Sequence, residues 1–161
     1  MSSVNKKTIG IDLGTSNSSL SYDINDGNGR QVLSIPQFTQ KDLVAEQKTL
    51  PSVLYIPQPG EVDKNNLPWQ SEATSYIFGE WARSRSLETP MRTVLSAKSW
   101  LCHPFVDKKE KILPWQSDLP EKVSPFDVSV FLIRYLREAF SFATKETIDQ
   151  TNSQTVVTVH A

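Results

Sequence analysis

The chain has few of the residues that build disulfides and metal clusters. Its 161 residues include one cysteine, Cys102, and two histidines, His103 and His160. One thiol cannot form an internal disulfide, and no second cysteine is available for a zinc cluster. The histidines lie far apart and outside any HExxH pattern. We therefore expect Cys102 and His103 to be packing or surface residues.

Net charge and long apolar runs are scarce as well. The formal net charge is −1 at pH 7, which gives no overall field that would favour nucleic acid or an anionic membrane. No run approaches the roughly 18 apolar residues that span a bilayer, and residues 1–7 lack the apolar core of a signal peptide. We expect a cytoplasmic protein of about one domain, with neither nucleic acid nor a membrane as partner.

The most informative stretch lies near the N-terminus, at residues 8–22. Apolar residues alternate there with small or polar ones on both sides of a turn, which predicts a β-hairpin. The turn, residues 14–18, reads Gly-Thr-Ser-Asn-Ser. Glycine lets the backbone approach a ligand closely, and small residues leave successive N–H groups open to an anion. Asp12 precedes the turn, where a carboxylate could hold a divalent cation beside a phosphate.

The rest of the pattern predicts an α/β fold with a mixed sheet. A third strand over residues 30–35 continues the hairpin into a meander. Ser124 and Pro125 suit the N-cap and first position of the longest helix, which we expect to end near Thr147. A β-branched run at 155–159 predicts a fourth strand. A crossover through the helix would place it parallel to the first strand, giving the sheet order 3-2-1-4.

Residues 36–117 are expected to form a small α+β insertion between the core segments 1–35 and 118–161. Its predicted elements are a proline-bracketed strand at 50–57, an exposed loop at 58–70, and helical segments at 80–86 and 93–101. The pentapeptide Leu-Pro-Trp-Gln-Ser occurs at 67–71 and again at 113–117. Two copies are too few for a repeat array, which leaves chance, pairing of the two copies as a hairpin, or a paired aromatic surface that contacts a partner.

Four segments together resemble the DnaK-type, seventy-kilodalton heat-shock chaperone family. They are residues 9–18, similar to its first phosphate-binding motif, residues 50–53, similar to its Thr-Pro-Ser segment, residues 78–82, similar to its Val-Gly-x-x-Ala, and residues 156–161, similar to its Val-Ile-Thr-Val-Pro-Ala. The resemblance implies the N-terminal lobe of a ribonuclease-H-like, actin-like ATPase domain in a divergent member. Because the last strand would leave an unpaired edge, we expect an incomplete fragment of a longer protein.

The resemblance also implies ATP and magnesium as ligands. Asp12 would hold the magnesium ion through water. The β- and γ-phosphates would bind N–H and hydroxyl groups of Gly14, Thr15, Ser16 and Asn17. Lys98 matches the catalytic lysine that reaches the γ-phosphate and positions the attacking water. Phosphoryl transfer needs charge neutralisation and alignment more than covalent help, which suits these residue types.

Two departures from the family pattern affect the expected activity. His160 stands where the family usually has a proline linked to communication between the nucleotide and substrate domains. The second phosphate loop, the water-polarising acid and the adenosine pocket would come from later segments. We therefore expect half a cleft with little turnover. The full-length protein would couple ATP hydrolysis to binding of unfolded peptides, together with co-chaperones.

Three other functions remain open from the sequence. A kinase of the sugar-kinase type, on the same fold, would use the same phosphate turn. A metal-dependent nuclease would need further carboxylates on the strands, and residues 156–159 offer none. A non-catalytic module could use residues 36–117 as a docking surface.

Overall fold

The computed structural model describes residues 6–62, 68–70 and 75–159. It is an α/β arrangement that combines one mixed sheet with smaller antiparallel ones. In chain order the elements are β1 (Lys7–Leu13), β2 (Asn17–Asp23), β3 (Gln31–Val32), β4 (Ile35–Gln40), β5 (Leu43–Gln47), β6 (Leu50–Pro51), β7 (Leu54–Tyr55), β8 (Ile77–Phe78), α1 (Glu80–Glu88), a 3₁₀-helix (Pro90–Arg92), β9 (Thr93–Val94), α2 (Ala97–Leu101), α3 (Pro125–Thr144) and β10 (Ser153–Thr158).

The main sheet has the order β10-β1-β2-β3, which is the predicted order 3-2-1-4 read from its other edge. β1 runs antiparallel to β2 and parallel to β10. A further strand, β6, pairs with the start of β2 and was not predicted as part of this sheet. The division into a core and an inserted segment at 36–117 stays a prediction.

The third strand is shorter than predicted. Its pairing with β2 ends at Val32, and the Leu33 N–H makes one further bond to the Leu20 carbonyl at 2.9 Å. Ile35, fully buried, instead begins a separate hairpin of β4 and β5. Asp42 occupies the left-handed region at the tip of this hairpin, with φ of 60°, a conformation that aspartate tolerates in turns. Every residue of β5 is exposed. A strand with no buried face needs no alternation of apolar and polar residues, and β5 has none. The sequence therefore did not predict this strand.

Helix α3 begins where the sequence predicts. The Ser124 hydroxyl accepts the N–H of Asp127 at 3.0 Å, and the Asp127 carboxylate accepts the N–H of Ser124 at 3.4 Å. The helix ends at Thr144, three residues before the predicted end, with Lys145 left-handed. The predicted helix at 93–101 shrinks to α2, because Thr93 and Val94 pair with β7 as strand β9.

The core packs one face of α3 against the main sheet, and Trp69 belongs to it. The prediction of an exposed loop at 58–70 is therefore wrong at this residue, which is only 4% exposed. Its ring lies 6.1 Å from that of Tyr135 on α3. The Tyr135 hydroxyl donates to the carbonyl oxygen of Pro36 at 2.7 Å. None of the helices in the described ranges combines the length and apolar character that a bilayer crossing requires.

The first residue of helix α1 bonds to the side-chain amide of Gln37, which is fully buried. The Gln37 Oε1 atom accepts the N–H of Glu80 at 3.2 Å, while its Nε2 donates to the Thr49 carbonyl at 2.9 Å. Gly79 adopts φ of 107°, and a Cβ there would lie 2.8 Å from Gln37 Oε1. Both the backbone conformation and the close approach therefore require glycine at this helix start.

Candidate functional site

The candidate site is built on the turn between β1 and β2. The predicted hairpin is observed, with Leu13 paired to Ser18. A Cβ on Gly14 would lie 2.1 Å from the carbonyl oxygen of Asn17. No side chain fits at that distance, so the tightness of the turn depends on glycine. Thr15 is half-buried, and Ser16 and Asn17 are exposed.

Ser52 ties this turn to the segment that follows β6. Its hydroxyl donates to the carbonyl oxygen of Gly14 at 2.9 Å, and its N–H donates to the carbonyl oxygen of Ser16 at 2.9 Å. The buried Ser18 hydroxyl lies 2.8 Å from the Ser52 oxygen. Because the Ser52 proton goes to a carbonyl, which can only accept, Ser18 must be the donor of that pair.

These contacts determine which backbone groups of the turn are occupied and which are left for a ligand. The carbonyl oxygens of Gly14 and Ser16 are both directed at Ser52. In the part of the chain that the structure describes, no hydrogen bond occupies the N–H groups of Thr15 or Ser16. The turn therefore has two carbonyl oxygens bonded to Ser52 and two successive N–H groups without a partner among the described residues. Successive free N–H groups are the donor arrangement that binds anions.

Asp12 lies at the end of β1, beside the last strand. It is exposed, and its Oδ1 accepts the hydroxyl proton of Thr158 at 3.0 Å. The two residues face each other in the parallel pairing of β1 and β10. Among the described residues no group of three or more histidine, cysteine, aspartate or glutamate side chains could hold a metal. A magnesium ion beside Asp12 would therefore take its other ligands from water and phosphate oxygens, as this ion commonly does.

Arg83 is a residue of the site that the sequence analysis missed. Its Nη2 atom, on α1, donates to the Asn17 side-chain oxygen at 2.9 Å and lies 3.0 Å from Glu80 Oε1. This contact spans 66 positions of the chain, and no local pattern signals it. Because Arg83 takes the amide oxygen, the NH₂ group of Asn17 is the part left to face a ligand.

Lys98 lies in α2 and is only 7% exposed, which argues against an ordinary surface lysine. Its segment is linked to the turn indirectly, since Val94 of β9 pairs with Leu54, two residues after Ser52. Within residues 6–62, 68–70 and 75–159, the Lys98 ammonium has no hydrogen bond or ion pair, including none to Asp12 or the turn. The structure thus buries most of Lys98 and shows, within the described ranges, no hydrogen bond or ion pair from its side chain to the other predicted site residues.

The sequence was compared with models of known protein families, and no model matches. His160, the departure from the chaperone pattern, lies outside the described residues.

Proposed function

We propose that residues 12–17 form the phosphate and magnesium site of an ATP-binding lobe. The observation that carries the proposal is the turn at Gly14–Asn17, whose carbonyls are held by Ser52 while the N–H groups of Thr15 and Ser16 stay unused. Phosphate oxygens are acceptors only, and a tight glycine turn lets them approach the backbone. The fold proposed for this lobe is the ribonuclease-H-like, actin-like ATPase fold.

The proposed roles follow from charge. ATP phosphates carry several negative charges, so they need a cation on each side. Asp12 supplies the site for magnesium through water, with its carboxylate oriented by Thr158. Lys98 supplies the ammonium for the γ-phosphate. Within the described ranges no carboxylate forms an ion pair with it, so none competes with the phosphate. Alignment and charge neutralisation are what phosphoryl transfer needs from a protein.

The wider proposal rests on the four segments that resemble DnaK-type chaperones. The parent protein would be a cytoplasmic, ATP-dependent chaperone that couples hydrolysis to binding of unfolded peptides, assisted by co-chaperones. Residues 50–53 support this reading, because Ser52 contacts the phosphate turn. A sugar-kinase-like phosphotransferase or a non-catalytic docking module are the alternatives, and the phosphate turn itself is equally compatible with the kinase.

A calorimetric titration of residues 1–161 with Mg·ATP tests the proposal. The resemblance implies that other nucleotide contacts come from segments outside this sequence. We therefore expect a dissociation constant of about 1 mM, equivalent to about 4 kcal/mol. Micromolar or tighter binding would contradict this half-cleft reading. No binding at all would contradict the proposed phosphate site.

Matched variants separate the roles of the charged groups. Asp12→Asn should weaken Mg·ATP binding, whereas Asp118→Asn, an exposed acid elsewhere, should not. Lys98→Ala should weaken binding of ATP more than of ADP, because it removes a γ-phosphate contact. The control is Lys111→Ala at an exposed position. Equal losses for ATP and ADP would show that Lys98 does not reach the γ-phosphate.

A further inference from the structure

A cavity of about 480 Å³ lies among residues that take no part in the phosphate turn. Its walls come from three segments of the chain, residues 56–60 with Val62, residues 75–77 and residues 119–121, together with Arg92. The volume falls in the range of sites for small molecules. Most of the lining is apolar, contributed by Ile56, Pro57, Pro59, Ile77, Leu119 and Pro120.

Hydrogen bonds fix two of these walls. Arg92 donates from Nε to the Ile56 carbonyl at 2.8 Å and from Nη2 to the Pro57 carbonyl at 2.9 Å. The Ser117 hydroxyl donates to the Met91 carbonyl at 2.7 Å and accepts the N–H of Leu119 at 3.2 Å. The cavity is therefore preformed, which lowers the entropic cost of binding a ligand.

Two charged residues, Arg92 and Glu121, line the cavity, and they differ in whether their side chains already have hydrogen-bond partners. Arg92 directs two of its donor groups at backbone carbonyls. Glu121 is exposed at the rim and has no hydrogen bond or ion pair within the described ranges. Burial raises the pKa of the Tyr76 phenol, and the carboxylates of Glu121 and Asp127 raise it further. The Tyr76 end of the cavity therefore offers an exposed carboxylate, that of Glu121, beside a phenol that stays neutral.

We propose that this cavity binds a small molecule with an apolar body and a protonated amine. The body lies against the proline and isoleucine walls, where burial of apolar surface favours it. The ammonium lies beside Glu121, whose carboxylate otherwise faces solvent. A ligand with a carboxylate in place of the amine is disfavoured, because it would meet the Glu121 carboxylate at this end.

Three probes with the same ring and different head groups test the proposal. They are 2-phenylethylamine, 2-phenylethanol and 3-phenylpropanoate, each titrated into ¹⁵N-labelled protein at neutral pH. The amides of Gly60 and Ile77, which line the cavity, report binding. We expect the amine to bind about fivefold more tightly than the alcohol, since a partly exposed ion pair contributes up to about 1 kcal/mol. The carboxylate should bind most weakly.

Glu121→Gln should remove the preference for the amine and leave the alcohol unchanged, because the shape of the cavity is retained. Glu110→Gln, an exposed acid that does not line the cavity, is the matched control. Asp12→Asn should leave amine binding unaffected, so this proposal and the phosphate site can fail independently. Equal binding of the three probes, a preference that survives Glu121→Gln, or no saturable shifts at Gly60 and Ile77 would overturn the proposal.

Discussion

The hydroxyl of Ser52 donates to the carbonyl oxygen of Gly14 at 2.9 Å, across 38 positions of the chain. This bond joins two of the segments on which the resemblance to chaperones depends. It also determines which backbone groups the turn presents, because a carbonyl held by Ser52 cannot face a ligand. The phosphate-binding role proposed for the turn thus depends on a residue that does not belong to it.

Replacing Ser52 by alanine should destabilise the fold and weaken phosphate binding together. The buried Ser18 hydroxyl, 1% exposed, would lose its acceptor, and an unsatisfied buried donor costs about 1–3 kcal/mol. Urea unfolding measures the loss. Ser99→Ala, at an exposed position of α2, should change stability by less than about 0.5 kcal/mol. Equal effects of the two substitutions would contradict the clamping role of Ser52.

Gly14→Ala should disrupt the turn while the rest of the sheet survives. The added Cβ would lie 2.1 Å from the Asn17 carbonyl oxygen, so the backbone must move. We expect binding of Mg·ATP to fall below detection. Gly29→Ala is the control, because its Cβ meets nothing within 4 Å although φ is +68°. That variant should lose about 1 kcal/mol of stability through strain and keep its phosphate binding.

The Tyr55–Glu61 pair should make stability depend on acid pH. Burial opposes ionisation of Glu61. The hydrogen bonds from the Tyr55 hydroxyl at 2.6 Å and from the Gln58 N–H, with the charge of Arg85, outweigh burial and lower the pKa of Glu61. A carboxyl with a lowered folded-state pKa stabilises the fold above its unfolded pKa, roughly 4.3. That stability is lost as pH falls through the lower folded value.

Tyr55→Phe should therefore reduce the dependence of unfolding free energy on pH between about pH 6 and 3. The variant keeps the ring, which is fully buried, and removes only the hydroxyl that stabilises the carboxylate. Glu110→Gln, an exposed acid, should leave the slope near that of the wild type. An unchanged slope in Tyr55→Phe would contradict the assigned cause of the Glu61 pKa shift.

Ser124→Ala should destabilise helix α3 by about 1 kcal/mol, because it removes the side-chain acceptor for the N–H of Asp127. Thermal unfolding by circular dichroism measures the change. Ser124→Asp, which keeps an acceptor at the N-cap, should recover most of the loss. A serine-to-alanine change without effect would contradict the capping role of Ser124.

Local patterns predicted the parts of the fold that depend on sequence neighbours. The alternation around Asp12 gave the β1–β2 hairpin, and the Ser124 cap gave the start of α3. The order of the main sheet followed from the crossover rule. The β4–β5 hairpin was not predicted, because β5 is exposed throughout and lacks an alternating pattern.

Other features depend on contacts between distant parts of the chain. Trp69 follows a polar, proline-containing stretch, which predicts exposure. It is buried because its ring packs against that of Tyr135 on α3. Arg83 reaches Asn17 only because α1 packs close to the turn. The orientation of the Gly14 and Ser16 carbonyls likewise depends on Ser52, and not on the turn sequence alone. Periodicity cannot reveal such pairings.

The most direct test of the phosphate site is an amide-shift titration of ¹⁵N-labelled protein with Mg·tripolyphosphate, with adenosine as the comparison. The polyphosphate carries the charge of ATP without the base and ribose. We predict saturable shifts at the amides of Thr15, Ser16 and Asn17 with Mg·tripolyphosphate and none there with adenosine. If the polyphosphate leaves these three amides unchanged while the hairpin stays folded, the turn is not a phosphate site.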